Sequence, residues 1–200
     1  MEMEERLIIG ITMGDPASIG PEITVKALPL EEIYPKCRPL VIGDANVMEA
    51  AVRIVGKDGI KIHPVHSVDE ALFEPGTIDV YDMGLVDMDQ LERGKVSAMA
   101  GEAAFRYVEK VIQMALAGEV DGTVTNAFSK EAINLAGHHY SGHTEVYADM
   151  TGTKKYTMML AHENMRVVHV STHVSLREAC ERVKKDRVLE VIRIAYQACR

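Results

Sequence analysis

Short runs of strand-forming residues alternate with amphipathic stretches along the chain. The strand candidates are residues 7–12, 40–43, 61–65, 78–81, 120–125, 157–161 and 167–170. Several of these runs are apolar on both faces, which is typical of strands buried in a parallel sheet. The clearest helix covers residues 98–117, where the apolar side chains recur at helical spacing. Strands that alternate with helices predict an α/β fold, with a mostly parallel sheet and helices on both faces.

Polar residues and glycines predict where the helices begin and end. Ser67 with Glu70, and Ser175 with Glu178, match the capping-box spacing. Asp44 and Asp186 are expected to be N-caps, and glycines at 56 and 118 are expected to end helices. Pro64 confines the strand at 61–65 to a sheet edge. No linker composition interrupts residues 1–200, so we expect one partial α/β unit without an internal boundary.

The last helical stripe reaches the end of the sequence. Its apolar positions are Val188, Val191, Ile192, Ala195, Tyr196 and Cys199. Arg200 follows with no Gly, Asn or Pro to end the helix. We therefore expect the natural chain to continue and the C-terminal part of the fold to be absent here.

Composition narrows the classes of function. With 47% hydrophobic and 26% charged residues, the chain can bury a core and is unlike a disordered segment. The net charge of −8, with no basic patch, argues against binding to nucleic acid or a membrane surface. No apolar run is long enough to span a bilayer, and the acidic residues 1–6 are unlike a signal peptide.

Three cysteines, Cys37, Cys180 and Cys199, form no CxxC pair. A disulfide framework or zinc knuckle is therefore not expected, and the cytoplasm is the simplest location. Cys180 and Cys199 fall in helical patterns, where we expect them to act as small buried hydrophobes.

Several familiar signatures are absent. Gly14 and Gly20 are one residue too far apart for a P-loop, and there is no GxGxxG or GxSxG. The HExx segment at 162–165 has Arg166 where a zinc protease needs its second histidine. Three polar loops at expected strand ends, where α/β sheets place ligands, remain as candidates: residues 14–22, 137–145 and 170–177.

Each loop has two interpretations. The glycines of 14–22 suit either an anion at a helix N-terminus or a tight strand-to-helix turn. The histidines and hydroxyls of 137–145 could bind phosphate or carboxylate or transfer protons, or lie incidentally on the surface. If the preceding strand continues, His169, Ser171 and His173 share one face. Taken alone, His169 and His173 are better explained as core or capping histidines.

Together these loops resemble the 4-hydroxythreonine-4-phosphate dehydrogenase family of vitamin B6 (pyridoxine, pyridoxal phosphate) biosynthesis. The matching segments are residues 11–22, 94–97 with Gly101, 125–133, 141–145 and 171–177. Ser18 stands where the family usually has glycine, and residues 126–130 lack the Pro and His that many biosynthetic members carry. In this departure and in the sequence of residues 170–180, the chain is more similar to the paralogous branch that acts on D-threonate or D-erythronate 4-phosphate.

The resemblance implies a fold similar to the isocitrate and isopropylmalate dehydrogenases and a homodimer with its active site at the subunit interface. It implies NAD- or NADP-dependent oxidation and decarboxylation of a small phosphorylated hydroxy acid. It also implies one divalent metal ion, which could be zinc, cobalt, manganese or magnesium. By motif position, His173 corresponds to a metal ligand, and His143 and Thr144 to substrate-binding residues. No position is assigned a catalytic or a cofactor-binding role.

The family's other two metal-binding histidines lie further toward the C-terminus, but no histidine follows His173 here. We therefore expect residues 1–200 alone to bind metal and NAD poorly and to be inactive. One alternative is a non-catalytic binding or regulatory fragment that retains the anion-binding loops. Another is a metal-assisted hydrolase or aldolase using His138, His139, His143 and His173 as a cluster.

Overall fold

The computed structural model describes residues 6–200, so most of the acidic N-terminal segment lies outside the described residues. The chain divides into two units, one ending at His143 and the other spanning Thr144–Arg200. Each unit is described by itself below.

The first unit is built on a five-stranded parallel sheet. Its strands are β1 (Ile8–Thr12), β2 (Arg38–Gly43), β3 (Lys61–Val65), β4 (Thr77–Asp82) and β5 (Gly122–Thr125). Their order across the sheet is β3-β4-β2-β1-β5, and every neighbouring pair is parallel. The predicted parallel sheet is confirmed, and β3, which contains Pro64, lies at an edge as expected.

Helices cover both faces of this sheet, which confirms the predicted α/β class. They are α1 (Gly20–Ala27), α2 (Ala45–Val55), α3 (Ala98–Ala117) and α4 (Lys130–Leu135). The first pair, α1 and α2, pack together, and so do α3 and α4. The predicted bounds of α3 are confirmed, and Gly118 ends it in the left-handed conformation at φ 75°.

The core lies between the central strands and the inner faces of α2 and α3. Leu40, Val41 and Ile42 of β2 are fully buried, as predicted for a central parallel strand. In contrast, Leu7 is exposed and β1 is only partly buried, so the prediction of a fully buried strand there was wrong. Among residues 6–200, the one strand beyond β1 on that side of the sheet is β5, which has four residues.

Asp44 and Ser67 stand at the N-cap positions predicted for them, but neither side chain makes a capping bond to its helix. Asp44 precedes α2, but its carboxylate accepts hydrogen bonds from Val86 N and Tyr107 Oη rather than from its own helix. Asp82 accepts the bond from Ala45 N instead. At Val68–Glu70 the chain forms a 3₁₀ helix with Ser67 at the N-cap position; its side chain makes no capping bond, but the Glu70 carboxylate accepts a bond from the Ser67 backbone, so half of the predicted capping box is formed.

The second unit contains an antiparallel hairpin and three helices. Its elements are α5 (His143–Met150, which starts at the last residue of the first unit), β6 (Met159–His162), β7 (Met165–Val168), α6 (Leu176–Arg182) and α7 (Lys185–Ala198). The N-cap of α6 is Ser175, whose side chain accepts a bond from Glu178 N, as predicted. Lys184, not Asp186, precedes α7, so that cap prediction was wrong by two residues.

The second unit buries few apolar side chains. Of its described residues only Val146, Ala148 and Val191 are buried and apolar, and along α7 Ile192 and Tyr196 are exposed. The expectation that Cys180 and Cys199 are buried was wrong, since both are exposed here. Among the residues described, none of the helices is both long and apolar enough to cross a membrane.

Candidate functional site

At the carboxyl end of the parallel sheet, the side chain and backbone of Asn126 connect β5 to β1 and α1. Asn126, the residue after β5, donates through Nδ2 to Thr12 O at 3.0 Å and to Thr24 Oγ1 at 2.8 Å. Its backbone N–H donates to Thr12 Oγ1 at 3.1 Å. These bonds fix the segment between β5 and α4 against β1 and α1, at the edge where α/β sheets place ligands.

The glycine-rich loop at residues 14–22 is packed against that segment. A Cβ on Gly14 would lie 2.6 Å from Ala127 O, and one on Gly20 would lie 2.3 Å from Met13 O. Gly14 also has φ 79°, which favours glycine. Close backbone packing therefore accounts for both glycines, which favours the tight-turn interpretation of this loop.

Asp15 makes the same loop a poor anion site. It is 3% exposed, and its Oδ1 accepts a bond from Ala17 N at 2.8 Å. Burial raises the pKa of Asp15 above its usual value, while hydrogen bonds from Ala17 N and the Ser129 backbone lower it. A buried carboxyl group that already uses these backbone donors leaves little positive potential for an anion.

His143, predicted to bind substrate, has one ring nitrogen engaged and one available. A hydrogen bond links its imidazole to the Asn126 backbone, and its ring lies 3.9 Å from the Phe128 ring at an angle of 33°. Its Nε2 is buried and has no partner among the described residues. Burial lowers the pKa of His143, and the bond to Asn126 opposes this only in part, so the neutral ring is favoured.

The neighbouring histidines have separate partners. His138 Nε2 lies 2.6 Å from a Glu102 carboxylate oxygen, and its ring stacks on Phe105 with centroids 3.6 Å apart. His139 is exposed, with Nδ1 3.1 Å from Asn134 Oδ1. Within residues 6–200, no three His, Cys, Asp or Glu side chains form a cluster that could hold a metal.

In the second unit, Thr144 and His173 line one small cavity of about 40 Å³. The remaining wall is formed by Tyr156, Thr157, Met158, His169, Ser171, Thr172 and Arg187. A cavity of this volume holds two or three waters or one polar group of a ligand. Two residues that the resemblance assigns to ligand binding are thus brought together across 29 positions of sequence.

The local backbone presents His173 at a turn rather than on a strand. The hairpin strand ends at Val168, so the predicted shared strand face of His169, Ser171 and His173 is not formed. His173 is exposed, with φ 55°, a left-handed conformation that is uncommon for a non-glycine residue. It is neither a core nor a capping histidine, because Ser175 caps the following helix.

The donor set around His173 does not complete a metal site. A catalytic metal ion needs about three protein ligands. His173 contributes one imidazole, and the described residues contain no group of three side chains that could act together as ligands. Residues 6–200 alone therefore do not supply the ligand set of a catalytic metal ion.

Two features of these sites were not predicted from the sequence. Arg187 braces the cavity wall: Nε donates to Val170 O at 3.1 Å and Nη2 to Tyr156 O at 3.0 Å. Glu145, the residue after Thr144, has a buried carboxylate oxygen without a partner in the described chain. Arg187 Nη1 also donates to Glu190 Oε2 at 2.6 Å, one helical turn further along α7.

A third feature missed is a buried pair beside the carboxyl end of β2. Tyr107 and Asp44 are both 0% exposed, and Tyr107 Oη donates to Asp44 Oδ2 at 2.5 Å. The second oxygen of Asp44 accepts a bond from Val86 N at 2.9 Å. Desolvation, with the nearby Asp44 carboxylate, raises the pKa of Tyr107 well above its usual value. This pair fixes α3 and the loop after β4 to β2.

Comparison with known proteins gives concordant results. A D-threonate 4-phosphate dehydrogenase from Cupriavidus necator is 42% identical over 190 residues, which are 95% of this chain and 56% of that protein. A crystal structure of a 4-hydroxythreonine-4-phosphate dehydrogenase from Burkholderia phymatum matches with TM-score 0.86 and 42% identity, covering 94% of this chain and 56% of that one. The corresponding structure from Klebsiella pneumoniae matches with TM-score 0.89 and 36% identity, covering 96% and 58%.

The chain thus spans a little more than half the length of the relatives that it matches. The family model described as pyridoxal phosphate biosynthetic protein PdxA matches residues 35–200. This match covers most of the sequence and includes His143, Thr144 and His173, and the chain belongs to the PdxA family.

Proposed function

We propose that this chain is part of a dehydrogenase that uses NAD or NADP to oxidise a small phosphorylated hydroxy acid, which then loses CO₂. Membership of the PdxA family and the names of the relatives support this proposal. The observation that carries it is the buried, unpartnered Nε2 of His143, because a ligand is the simplest source of the missing hydrogen bond. The resemblance had assigned His143 to substrate binding.

The protonation state of His143 indicates which substrate group it binds. A neutral ring that donates through Nδ1 to Asn126 O has a lone pair at Nε2 and accepts a hydrogen bond there. A phosphate dianion offers only acceptors, whereas a hydroxyl group can donate. We therefore propose that His143 accepts a hydrogen bond from a substrate hydroxyl group, and that phosphate is bound elsewhere.

Thr144 and His173 are proposed to contact the substrate and a divalent cation, respectively. The cavity that they share has room for one polar group, not for a four-carbon phosphorylated acid. Its hydroxyl groups at Thr144, Ser171 and Thr172 can each donate one hydrogen bond. The remaining metal ligands would have to come from outside the described residues.

The proposed reaction needs no oxidant other than NAD or NADP. The carbon that bears the substrate hydroxyl group gives a hydride to the nicotinamide, and the hydroxyl proton is released, leaving a 3-keto acid. The bond from C2 to the carboxylate carbon then breaks, CO₂ departs, and the electron pair forms an enolate that takes up a proton. A neutral His143 at hydrogen-bond distance from the hydroxyl group would orient it for the first step.

The substrate class proposed is D-threonate or D-erythronate 4-phosphate, with 4-phosphooxy-L-threonine as the alternative from the biosynthetic branch. The departures at residues 126–130 and the name of the Cupriavidus relative favour the former. We also propose a homodimer in which the partner subunit completes the active site, and a cytoplasmic location.

The test is an assay of the protein extended to the length of its relatives, beside the 200-residue chain. Reduction of NAD and of NADP would be followed with each of the three phosphorylated acids, and CO₂ release would be measured in parallel. We expect one CO₂ per reduced nicotinamide and no turnover with unphosphorylated D-threonate. Absence of turnover with all three acids in the extended protein would refute the proposal and favour a non-catalytic module.

A further inference from the structure

The segment that leads to His143 is anchored at its beginning by His138. We call residues 137–142, between α4 and α5, the histidine loop. The His138 ring stacks on Phe105 of α3, with centroids 3.6 Å apart and an interplanar angle of 10°. Its Nε2 lies 2.6 Å from Glu102 Oε2, and its backbone N–H donates to Ile133 O at 2.8 Å. Three contacts of different kinds therefore fix one residue.

The residues that hold His138 make further contacts of their own. Glu102 also accepts a bond from Arg106 Nε at 2.7 Å, one turn further along α3. At Gly101 the two helices approach so closely that a Cβ would lie 2.0 Å from Ala132 O of α4. Helix α4 directly precedes the histidine loop, and it packs closely on α3, the helix that also anchors His138.

The other end of the loop is fixed by His143. Its ring packs on Phe128 at 3.9 Å and is hydrogen-bonded to the Asn126 backbone. The Tyr140 ring, midway along the loop, lies 5.8 Å from the Phe105 ring at an angle of 17°. Only four residues separate the two histidine anchors, so a shift at His138 is passed to His143 over a short length of chain.

We propose that His138 is a positioning residue that holds the histidine loop in place and so fixes the orientation of the His143 imidazole. The carboxylate of Glu102 requires a proton on His138 Nε2, which sets the tautomer and ring plane of His138. His138 itself contacts neither substrate nor cofactor in this proposal. Its effect on catalysis rests on the proposed role of His143, whereas its effect on the His143 ring does not.

Two substitutions separate the contributions of His138. His138→Gln keeps an N–H donor for Glu102 but loses the aromatic stack, and His138→Phe keeps the stack but loses the donor. His139→Gln is the matched control, because His139 is the adjacent histidine, is exposed and contacts Asn134 instead. Thermal unfolding shows which variants fold, and Glu102→Gln replaces any that does not.

The first readout is the ring resonances of His143 in the histidine-labelled 200-residue chain. We expect both His138 variants to shift or broaden them, and His139→Gln to leave them unchanged. Folded His138 variants with wild-type His143 resonances would overturn the proposal. This measurement needs no substrate, so it remains decisive even if the proposed function fails.

The second readout is steady-state kinetics of the extended protein. Loss of the anchor is expected to lower kcat/KM by about tenfold to a hundredfold, because a misplacement of about 1 Å can cost a hundredfold in rate. A purely structural role would lower the amount of folded enzyme without changing KM. Unchanged KM and kcat per folded molecule in both His138 variants would contradict the proposal.

Discussion

Removing the Tyr107 hydroxyl group should destabilise the fold measurably. Tyr107→Phe leaves Asp44 Oδ2 buried and without the donor that now lies 2.5 Å away. A hydrogen bond to a charged group contributes about 1.5–3 kcal/mol, and an unsatisfied buried acceptor costs a similar amount. We therefore expect the free energy of unfolding to fall by about 2 kcal/mol, with the midpoint of thermal unfolding lower by about 4–8 °C.

The assay is urea unfolding of the 200-residue chain followed by circular dichroism, with Tyr81→Phe as control. The Tyr81 ring lies under the Lys110 ammonium at 4.5 Å and is only partly buried, so its loss of a hydroxyl should change stability by less than about 0.5 kcal/mol. Equal stability of Tyr107→Phe and wild type would refute the argument that this bond stabilises a buried carboxylate.

Alkaline pH provides a second check on the same group. Because burial raises the pKa of Tyr107 well above 10, the folded state keeps a proton that the unfolded chain loses above about pH 10. The stabilising contribution is therefore complete below pH 10 and is lost as the pH rises further. Tyr107→Phe should show a shallower loss of stability above pH 10 than wild type, and identical slopes would contradict this assignment.

Three further outcomes are expected. Gly101→Ala should destabilise by about 1–3 kcal/mol or more, since its Cβ would meet Ala132 O at 2.0 Å, while Gly59→Ala, with no atom within 4 Å, should be near neutral in the same urea assay. In an NMR titration, the pKa of His143 should lie below the usual histidine value of about 6.5, because burial favours the neutral ring. The contribution of His143 to stability should therefore be lost as the pH falls below 6.5. A pKa above 6.5 would refute this. Tyr34→Phe should remove part of the loss of stability between pH 10 and about 12, because burial raises the pKa of Tyr34 to about 12; an unchanged profile would argue against it.

The elements of the first unit could be predicted because local signals and burial agree there. Helix α3 has a regular apolar stripe and a terminal Gly118, and both act as their spacing indicates. The side chain of Asp44 bonds to Val86 and Tyr107 instead of capping α2, which could not be predicted, since these partners lie 42 and 63 positions away. Long-range partners of a buried carboxylate leave no local pattern.

For the candidate site, the sequence indicated the residue types but not their state. The motif at 141–145 pointed to His143 and Thr144, yet its spacing carried no information on the neutral ring or the unpartnered Nε2. Those properties depend on Asn126 and Phe128, which approach only when β5 and α4 have formed. The roles of Thr144 in substrate binding and of His173 in metal binding remain predictions.

The sparse core of the second unit has a consequence for local unfolding. Residues 144–200 contain three buried apolar side chains, and both strands of the hairpin in this unit expose side chains such as Leu160 and Val167. In segments with few buried contacts, local opening costs only a small fraction of the free energy of global unfolding. Amide protons of β6, β7 and α7 should therefore exchange with solvent orders of magnitude faster than those of β2 and α3, so that the 200-residue chain behaves as one stable folding unit carrying a second that opens frequently.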